Sequence, residues 1–186
     1  NLVIAGKTPL DAVDMKFIDE SFDDTALLRE FKLSMKGCKP IEIKAAIEKV
    51  YKIRSINNNI TSLKKLAVSV SYEALDLADF NQVKALIDKY THIDGIIHGA
   101  GMEESNFIVK KDKSSFNRVF DSKVSGALNL INAMAGRDYT FFISFSSVAA
   151  KFGNEGQSDY AAANEMLCKI ILKEKDSYPD RFYKVI

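Results

Sequence analysis

Residues 139–164 read YTFFISFSSVAAKFGNEGQSDYAAAN, and this run decides the fold class. Tyr139–Phe145 is the strongest strand signal in the chain. It is continuously apolar and rich in aromatic residues, as a strand buried on both faces is. A glycine-containing loop, Lys151–Asp159, follows it. A helix is then expected from Tyr160 to about Lys175. A buried strand leading through a loop into a helix is half of a βαβ unit.

The same alternation runs upstream. Asp94–His98 (DGIIH) reads as a brief buried strand turned by Gly99, Ala100 and Gly101. A long helix is expected from Ser114 to Met134, with Phe116, Val119, Phe120, Val124, Ala127, Leu128, Leu130 and Ile131 on its apolar face. Gly126 costs that helix about 1 kcal/mol relative to alanine, which points to close packing there. Asp79–Tyr90 reads as a helix capped by Asp79. Ala67–Asp76 is a strand ending in an acid, and Asn1–Ala5 is a strand closed by Gly6. Between those two strands, Asp23 and Asp24 can cap a short helix that Gly37 stops, and Pro40 opens another. Ile41, Ala45, Ile47 or Val50, and Tyr51 give the second helix its stripe; the polar Asn57–Asn59 run can interrupt it before Ile60, Leu63, Leu66 and Ala67 resume the spacing. Phe182–Ile186 is a last strand.

Strands alternating with helices predict an α/β fold, a Rossmann-like doubly wound parallel sheet. The two N-terminal strands are separated by about 60 residues, whereas a crossover needs roughly a dozen. A helical insertion over residues 21–66 is therefore expected inside a single domain spanning 1–186. Lysine plus arginine number 26 against 25 acids, a net charge of +1, which argues against a protein that wraps nucleic acid. Apolar residues at 47% and charged residues at 27% exclude disorder. The two cysteines, Cys38 and Cys168, lie far apart and read as free thiols of a reducing compartment, so a cytoplasmic location is expected. Two histidines make a metal cluster improbable, and no metal site is expected. No apolar run approaches the 18 or so residues of a membrane span, and no signal peptide opens the sequence.

In open parallel sheets ligands bind at the carboxyl ends of the strands. Lys7 and Thr8, Asp76, His98–Gly101, Ser146 and Ser147, and the loop leading to Tyr160 all collect there. Ser147 and Tyr160 are thirteen residues apart, and Asn164 follows Tyr160 by four, on the same helix face. A tyrosine, whose ordinary pKa is about 10, acts as a general acid only where something favours its phenolate. A nearby ammonium does so, and Lys123 on the long helix is the candidate. Taken one at a time, these residues have plainer readings: Tyr160 a half-buried helix tyrosine, Ser147 a local cap, Lys123 a surface lysine, Asn164 an ordinary polar helix position. Lys7 can be a solvated turn, Asp76 a cap, His98 a packing residue, and Glu103 and Glu104 solvated acids.

The runs FSSVAAKFGNEGQSDYAAAN (145–164), HGAG (98–101) and FNRVFDSKVSGA (116–127) resemble the ketoreductase domain of modular polyketide and multifunctional fatty-acid synthases, within the short-chain dehydrogenase/reductase superfamily. IIHGAG (96–101), GNEGQSDY (153–160) and RSINNNITSLKKL (54–66) are most similar to the ketoreductase of polyunsaturated fatty-acid synthases. Common superfamily members place the active lysine four residues after the tyrosine; synthase ketoreductases carry asparagine there and take the lysine from the preceding helix. Asn164 and Lys123 match the synthase arrangement.

The resemblance implies NADPH-dependent reduction of a β-ketoacyl thioester, carried on an acyl carrier protein among neighbouring synthase domains. Tyr160 would donate the proton, Ser147 would stabilise charge on the ketone oxygen, Lys123 would favour the phenolate and support the relay, and Asn164 would hold Lys123 and water. For the cofactor it implies Lys7, with Thr8, against the 2′-phosphate, because VIAGKTPL (3–10) resembles a GRSPL motif. Asp76 and Leu77 would approach the adenine, and Gly99, Ala100, Gly101 and Tyr160 the ribose and nicotinamide. The family's first strand with its glycine-rich fingerprint is expected before Asn1, and its final strand and lid after Ile186, so the sequence reads as an excerpt. Glu103-Glu104-Ser105 stands where the family's Leu-Asp-Asp marker falls and Phe152 where its tryptophan marker falls, which leaves the alcohol stereochemistry open. The rival readings are a freestanding reductase of a small ketone, a non-catalytic scaffold and a cofactor-sensing domain.

Overall fold

The apolar runs become strands in the computed structural model, which describes residues 1–18, 22–66 and 68–186. Ser21 and Ala67, expected to begin the insertion and the second strand, lie outside the described residues. The chain divides into two units, Asn1–Leu75 and Asp76–Ile186.

In the first unit, β1 (Leu2–Gly6) and β2 (Val70–Ala74) pair in parallel, Leu2 opposite Val70 and Gly6 opposite Ala74. Between them lie α1 (Asp24–Ser34) and α2 (Pro40–Lys64). Asp23 caps α1 by accepting from the Ala26 N–H at 2.8 Å. Pro40 stands at the first turn of α2, and the Glu42 carboxylate accepts from the Lys39 N–H at 2.6 Å. The asparagines at 57–59 do not interrupt α2. Each loses at most about 0.7 kcal/mol of helix propensity. Ile43, Val50 and Ile53 bury one stripe of the helix. Val50 packs with Phe17 and Leu27 in a small core, joined by Phe22 and Phe31. Arg54 binds the Phe17 and Phe22 carbonyls at 2.9 and 3.0 Å and so ties the connection after β1 to α2.

The second unit holds β3 (Gly95–His98), β4 (Phe141–Ser144) and β5 (Phe182–Val185), all parallel, with β4 in the middle. Its helices are α3 (Phe80–Asp88), α4 (Lys113–Ala133), α5 (Ala149–Phe152) and α6 (Ser158–Ser177). Helix α4 connects β3 to β4 and α6 connects β4 to β5, as parallel pairing requires. Asp79 caps α3 through the Asn81 and Gln82 amides at 2.9 and 3.3 Å. Asp112 does the same for α4 through Ser115 at 2.7 Å. Phe142 of β4, Leu167 of α6 and Ala127 of α4 are fully buried where α4 and α6 pack together and on the sheet. The packing inferred from Gly126 is present: a Cβ there would lie 3.2 Å from Leu77 Cβ and 3.4 Å from His98 Cε1.

Several strands and helices are shorter or shifted by a residue or more from the sequence expectation, and two of the differences bear on the site. Helix α6 starts at Ser158, two residues before Tyr160, because the Asp159 carboxylate satisfies the Tyr160 N–H at 2.8 Å. The short α5 takes Lys151 and Phe152 out of the expected loop and ends at Gly153, whose φ of 69° no other residue type adopts cheaply. Among the described residues no helix is long and apolar enough to cross a membrane.

Candidate active site

Strand register sets the site. His98 ends β3 opposite Ser144, which ends β4, so Gly99–Gly101 and Phe145–Ser147 leave the sheet side by side. A cavity of about 280 Å³ opens there, lined by Gly99, Gly101, Met102, Glu103, Lys123, Phe145, Ser146 and Tyr160. It lies at the carboxyl ends of parallel strands, where this class of sheet binds ligands.

Lys123 reaches it from the middle of α4. Its side chain is buried, with the residue 5% exposed, and Nζ donates to the Phe145 carbonyl at 2.7 Å. Nζ also stands 5.8 Å from the centre of the Tyr160 ring. Burial pushes the Lys123 ammonium below its ordinary pKa, and the neighbouring Cys168 opposes that shift. Gly101 makes room for the lysine: a Cβ at this position would lie 2.8 Å from Lys123 Cε and 3.3 Å from Nζ.

Tyr160 is half-buried in the first turn of α6, and Asn164 lies one turn on, completely buried. The Asn164 amide nitrogen donates to the Tyr160 carbonyl at 2.8 Å, while its Oδ1 is buried with no partner. Ser147 is half-buried but does not line the cavity; Ser146 does. The Ser147 Oγ accepts from the Ala149 N–H at 3.2 Å, which leaves its own proton free to donate. Ser146 Oγ donates to the Asn164 carbonyl at 3.3 Å and takes the Cys168 thiol at 3.2 Å.

His98 packs, as one of its two sequence readings has it. It is 2% exposed, its Nε2–H meets the Lys123 carbonyl at 2.9 Å, and burial pushes its pKa down. Among the nucleotide-side candidates, Asp76 Oδ1 accepts from the Ala78 N–H at 3.1 Å and the Leu77 carbonyl accepts from Asn129 at 2.8 Å. Lys7 and Thr8 belong to the first unit, just past β1, where the Thr8 carbonyl accepts from the Tyr72 hydroxyl at 2.8 Å. Thus Gly99, Gly101, Lys123 and Tyr160 surround one cavity, with Asn164 behind Tyr160, while Lys7 and Thr8 are in the other unit. Among the described residues no group of three or more histidines, cysteines or acids could hold a metal.

Sequence reasoning missed the polar framework of the loop after Gly101. Glu104 is not simply solvated: Arg118 grips its carboxylate at 2.9 and 2.8 Å and Ser115 donates at 2.7 Å. These bonds hold the Glu104 pKa down to about 2. Glu103 accepts from Gln157 at 2.6 Å. Lys111 forms a buried ion pair with Asp159 at 2.7 Å. The partners are 48 residues apart, so no local pattern announces them.

A parallel sheet flanked by helices, with a tyrosine and a lysine facing one cavity at its carboxyl edge, is a Rossmann-like α/β arrangement. A ketoreductase domain from the bacillaene assembly line superposes with a TM-score of 0.58 at 24% identity, over 98% of this chain and 42% of that one. A gluconate 5-dehydrogenase from Burkholderia cenocepacia, solved with NADP and tartrate, gives a TM-score of 0.60 at 17% identity, over 69% and 52% of the two chains. The KR domain family model matches residues 44–175, and the chain belongs to that family. It is 41% identical over 112 residues to polyketide synthase PksL of Bacillus subtilis, a match covering 58% of this chain and 2% of that protein. It is 30% identical over 143 residues to a polyunsaturated fatty acid synthase polypeptide of a Thraustochytrium species, covering 74% of this chain and 5% of that protein.

Proposed function

We infer that this chain carries the reductive site of a synthase, which reduces a β-ketoacyl thioester on an acyl carrier protein to the β-hydroxyacyl thioester with NADPH. The observation that carries the reading is the meeting of Lys123 and Tyr160 over a concave edge floored by glycines. Those residues fit a nicotinamide cofactor. Gly99 and Gly101 present bare backbone to the cavity, and Lys123 supplies a buried donor. When bound, a reduced nicotinamide supplies hydride to the ketone carbon. Tyr160 donates the proton that the ketone oxygen takes up. Ser147, next in sequence to the cavity-lining Ser146, would donate a hydrogen bond to that oxygen and lower the energy of its developing charge. Lys123 favours the phenolate left behind, and Asn164 holds the start of α6 through the Tyr160 carbonyl.

Gly99, Ala100, Gly101 and Lys123 would hold the ribose and nicotinamide, Asp76 and Leu77 the adenine side. Lys7, with Thr8, would meet a 2′-phosphate, which favours NADPH over NADH. The curated relatives are synthases of which this chain matches 2–7%, and their kind supports a carrier-bound substrate. A reducing cytoplasmic setting agrees with the two free cysteines.

The test is reductase activity of the full-length protein with a β-ketoacyl thioester, read as NADPH absorbance and repeated with NADH. Consumption that needs both Tyr160 and the thioester is expected, faster with NADPH. Cofactor binding without consumption, even on a carrier-bound substrate, would instead make the chain a sensing domain. A folded protein that binds no cofactor would be a scaffold.

A further inference from the structure

The ion pair between Lys111 and Asp159 is the most deeply buried charge pair among the described residues. Their side chains are 5% and 1% exposed. Such a pair seldom adds net stability over apolar residues of the same shape, because desolvation offsets the attraction. Its geometry is informative instead. Lys111 Nζ donates to Asp159 Oδ2 at 2.7 Å and to the Glu104 carbonyl at 2.7 Å. Asp159 Oδ1 accepts from the backbone N–H of Tyr160 at 2.8 Å. One carboxylate oxygen therefore holds the loop and the other holds the residue that carries the reactive phenol.

The loop is itself anchored. The Glu104 side chain is clamped to α4 by Arg118 and Ser115, and Met102 and Glu103 line the cavity. Around the buried pair run exposed bonds of the same sense: the Asn106 N–H to the Gly156 carbonyl at 2.9 Å, and Gln157 to Glu103 at 2.6 Å. The loop on one side of the cavity and the first turn of α6 on the other are thus joined through one buried charge pair.

We propose that Lys111 and Asp159 are positioning residues for reduction: their ion pair fixes the first turn of α6 against the 102–111 loop and so holds the Tyr160 phenol beside Lys123. This rests on the reductase reading for its consequence in turnover, but not for its structural claim. Lys111→Met combined with Asp159→Asn tests it in the full-length protein. The double variant leaves no unpaired buried charge and keeps an acceptor for the Tyr160 N–H, so α6 still starts while the charged tie is gone.

Two readouts are compared. The first is nitration of Tyr160 by tetranitromethane, resolved by peptide mass spectrometry, with the exposed Tyr178 as internal control. A phenol released from its place beside Lys123 meets the reagent in a different setting, so its nitration rate changes at least threefold while that of Tyr178 is unchanged. The second is turnover: kcat falls at least tenfold, with KM for thioester and cofactor within twofold of wild type. Asp159→Asn alone, which leaves Lys111 its bond to the Glu104 carbonyl, changes both in the same direction and serves if the double variant folds poorly. Unchanged Tyr160 nitration overturns the proposal, and so does unchanged kcat in an active protein. If the wild type shows no Tyr160-dependent reduction, the reductase reading fails, and nitration alone decides the role of the pair.

Discussion

The two ends of the three-stranded sheet treat buried polar groups in opposite ways. At the amino end the polar tips close on one another. The Tyr139 and Tyr183 hydroxyls meet at 2.7 Å, and Arg181 lies between the Tyr139 and Tyr178 rings, 4.2 and 4.5 Å from their centres. Arg181 donates to the Arg137 carbonyl at 3.0 Å, and Arg137 donates to the Tyr90 carbonyl at 2.7 Å. At the carboxyl end, His98 Nδ1, Ser144 Oγ and Asn164 Oδ1 are buried without a partner. There Lys123 is drawn out of water to reach a cavity. Buried polar groups are ordinarily satisfied, and exceptions gather where chemistry has to be done. On the proposed reading, one end of the sheet serves stability and the other holds the reductive site.

That contrast breaks most sharply at Tyr160. Tyr160→Phe removes the proposed proton donor and nothing that holds the fold, so kcat should fall by about 10²–10⁴-fold. Melting temperature and cofactor affinity should stay put. A Phe variant with ordinary turnover would reduce the carboxyl end to mere packing. Gly101→Ala follows. The added Cβ would press on the Lys123 side chain from 2.8 Å, and the displaced ammonium should lower kcat by roughly 10–100-fold. Circular dichroism and thermal melts would separate that from unfolding.

Tyr183→Phe probes the other end. It takes from the buried Tyr139 hydroxyl its Tyr183 partner and leaves it the Arg181 guanidinium, which should cost about 1 kcal/mol in urea unfolding, with kcat within twofold of wild type. Adding Tyr139→Phe should restore part of the loss, since no hydroxyl of the pair then lacks its mate. Burial and the Tyr183 hydroxyl push the Tyr139 pKa upward, so Tyr139 stays neutral across the working pH range. A large activity loss from Tyr183→Phe would erase the division between the two ends.

What the sequence discloses follows the range of the interaction. The β4 run FFIS and the Asp79 cap act within a few residues, and both stand where the pattern puts them. Tyr160 and Lys123 are legible as chemistry-bearing residues, but their meeting depends on α4 packing against α6, which no window contains. Helix α2 runs through Asn57–Asn59 because Ile43, Val50 and Ile53 bury one continuous stripe, and tertiary burial outweighs three weak helix formers. The early start of α6 has the same origin. Asp159 looks like a solvated loop acid until Lys111, 48 residues away, is seen beside it. The choice of Ser146 rather than Ser147 to line the cavity turns on the path of one short loop, which spacing does not encode.

The smallest effect belongs to His98, and it sharpens the contrast through pH. Its Nε2–H is spent on the Lys123 carbonyl and its Nδ1 is buried, so a second proton would bring a charge into an apolar place beside an ammonium. The folded pKa is therefore depressed below the unfolded value of about 6.5. Above that pH both states hold the imidazole neutral, and the fold keeps the full benefit. As pH falls, the unfolded chain takes up the proton first, and stability drains away until the folded pKa is reached. The depressed carboxylates, Glu104 among them with its value of about 2, lose their contributions only at lower pH, below their ordinary range. Urea unfolding should thus lose on the order of 1 kcal/mol between about pH 6.5 and 5. His98→Gln, which can still donate to the Lys123 carbonyl, should flatten that slope. An equal slope in the variant would place the titrating group elsewhere and leave His98 an ordinary packed side chain.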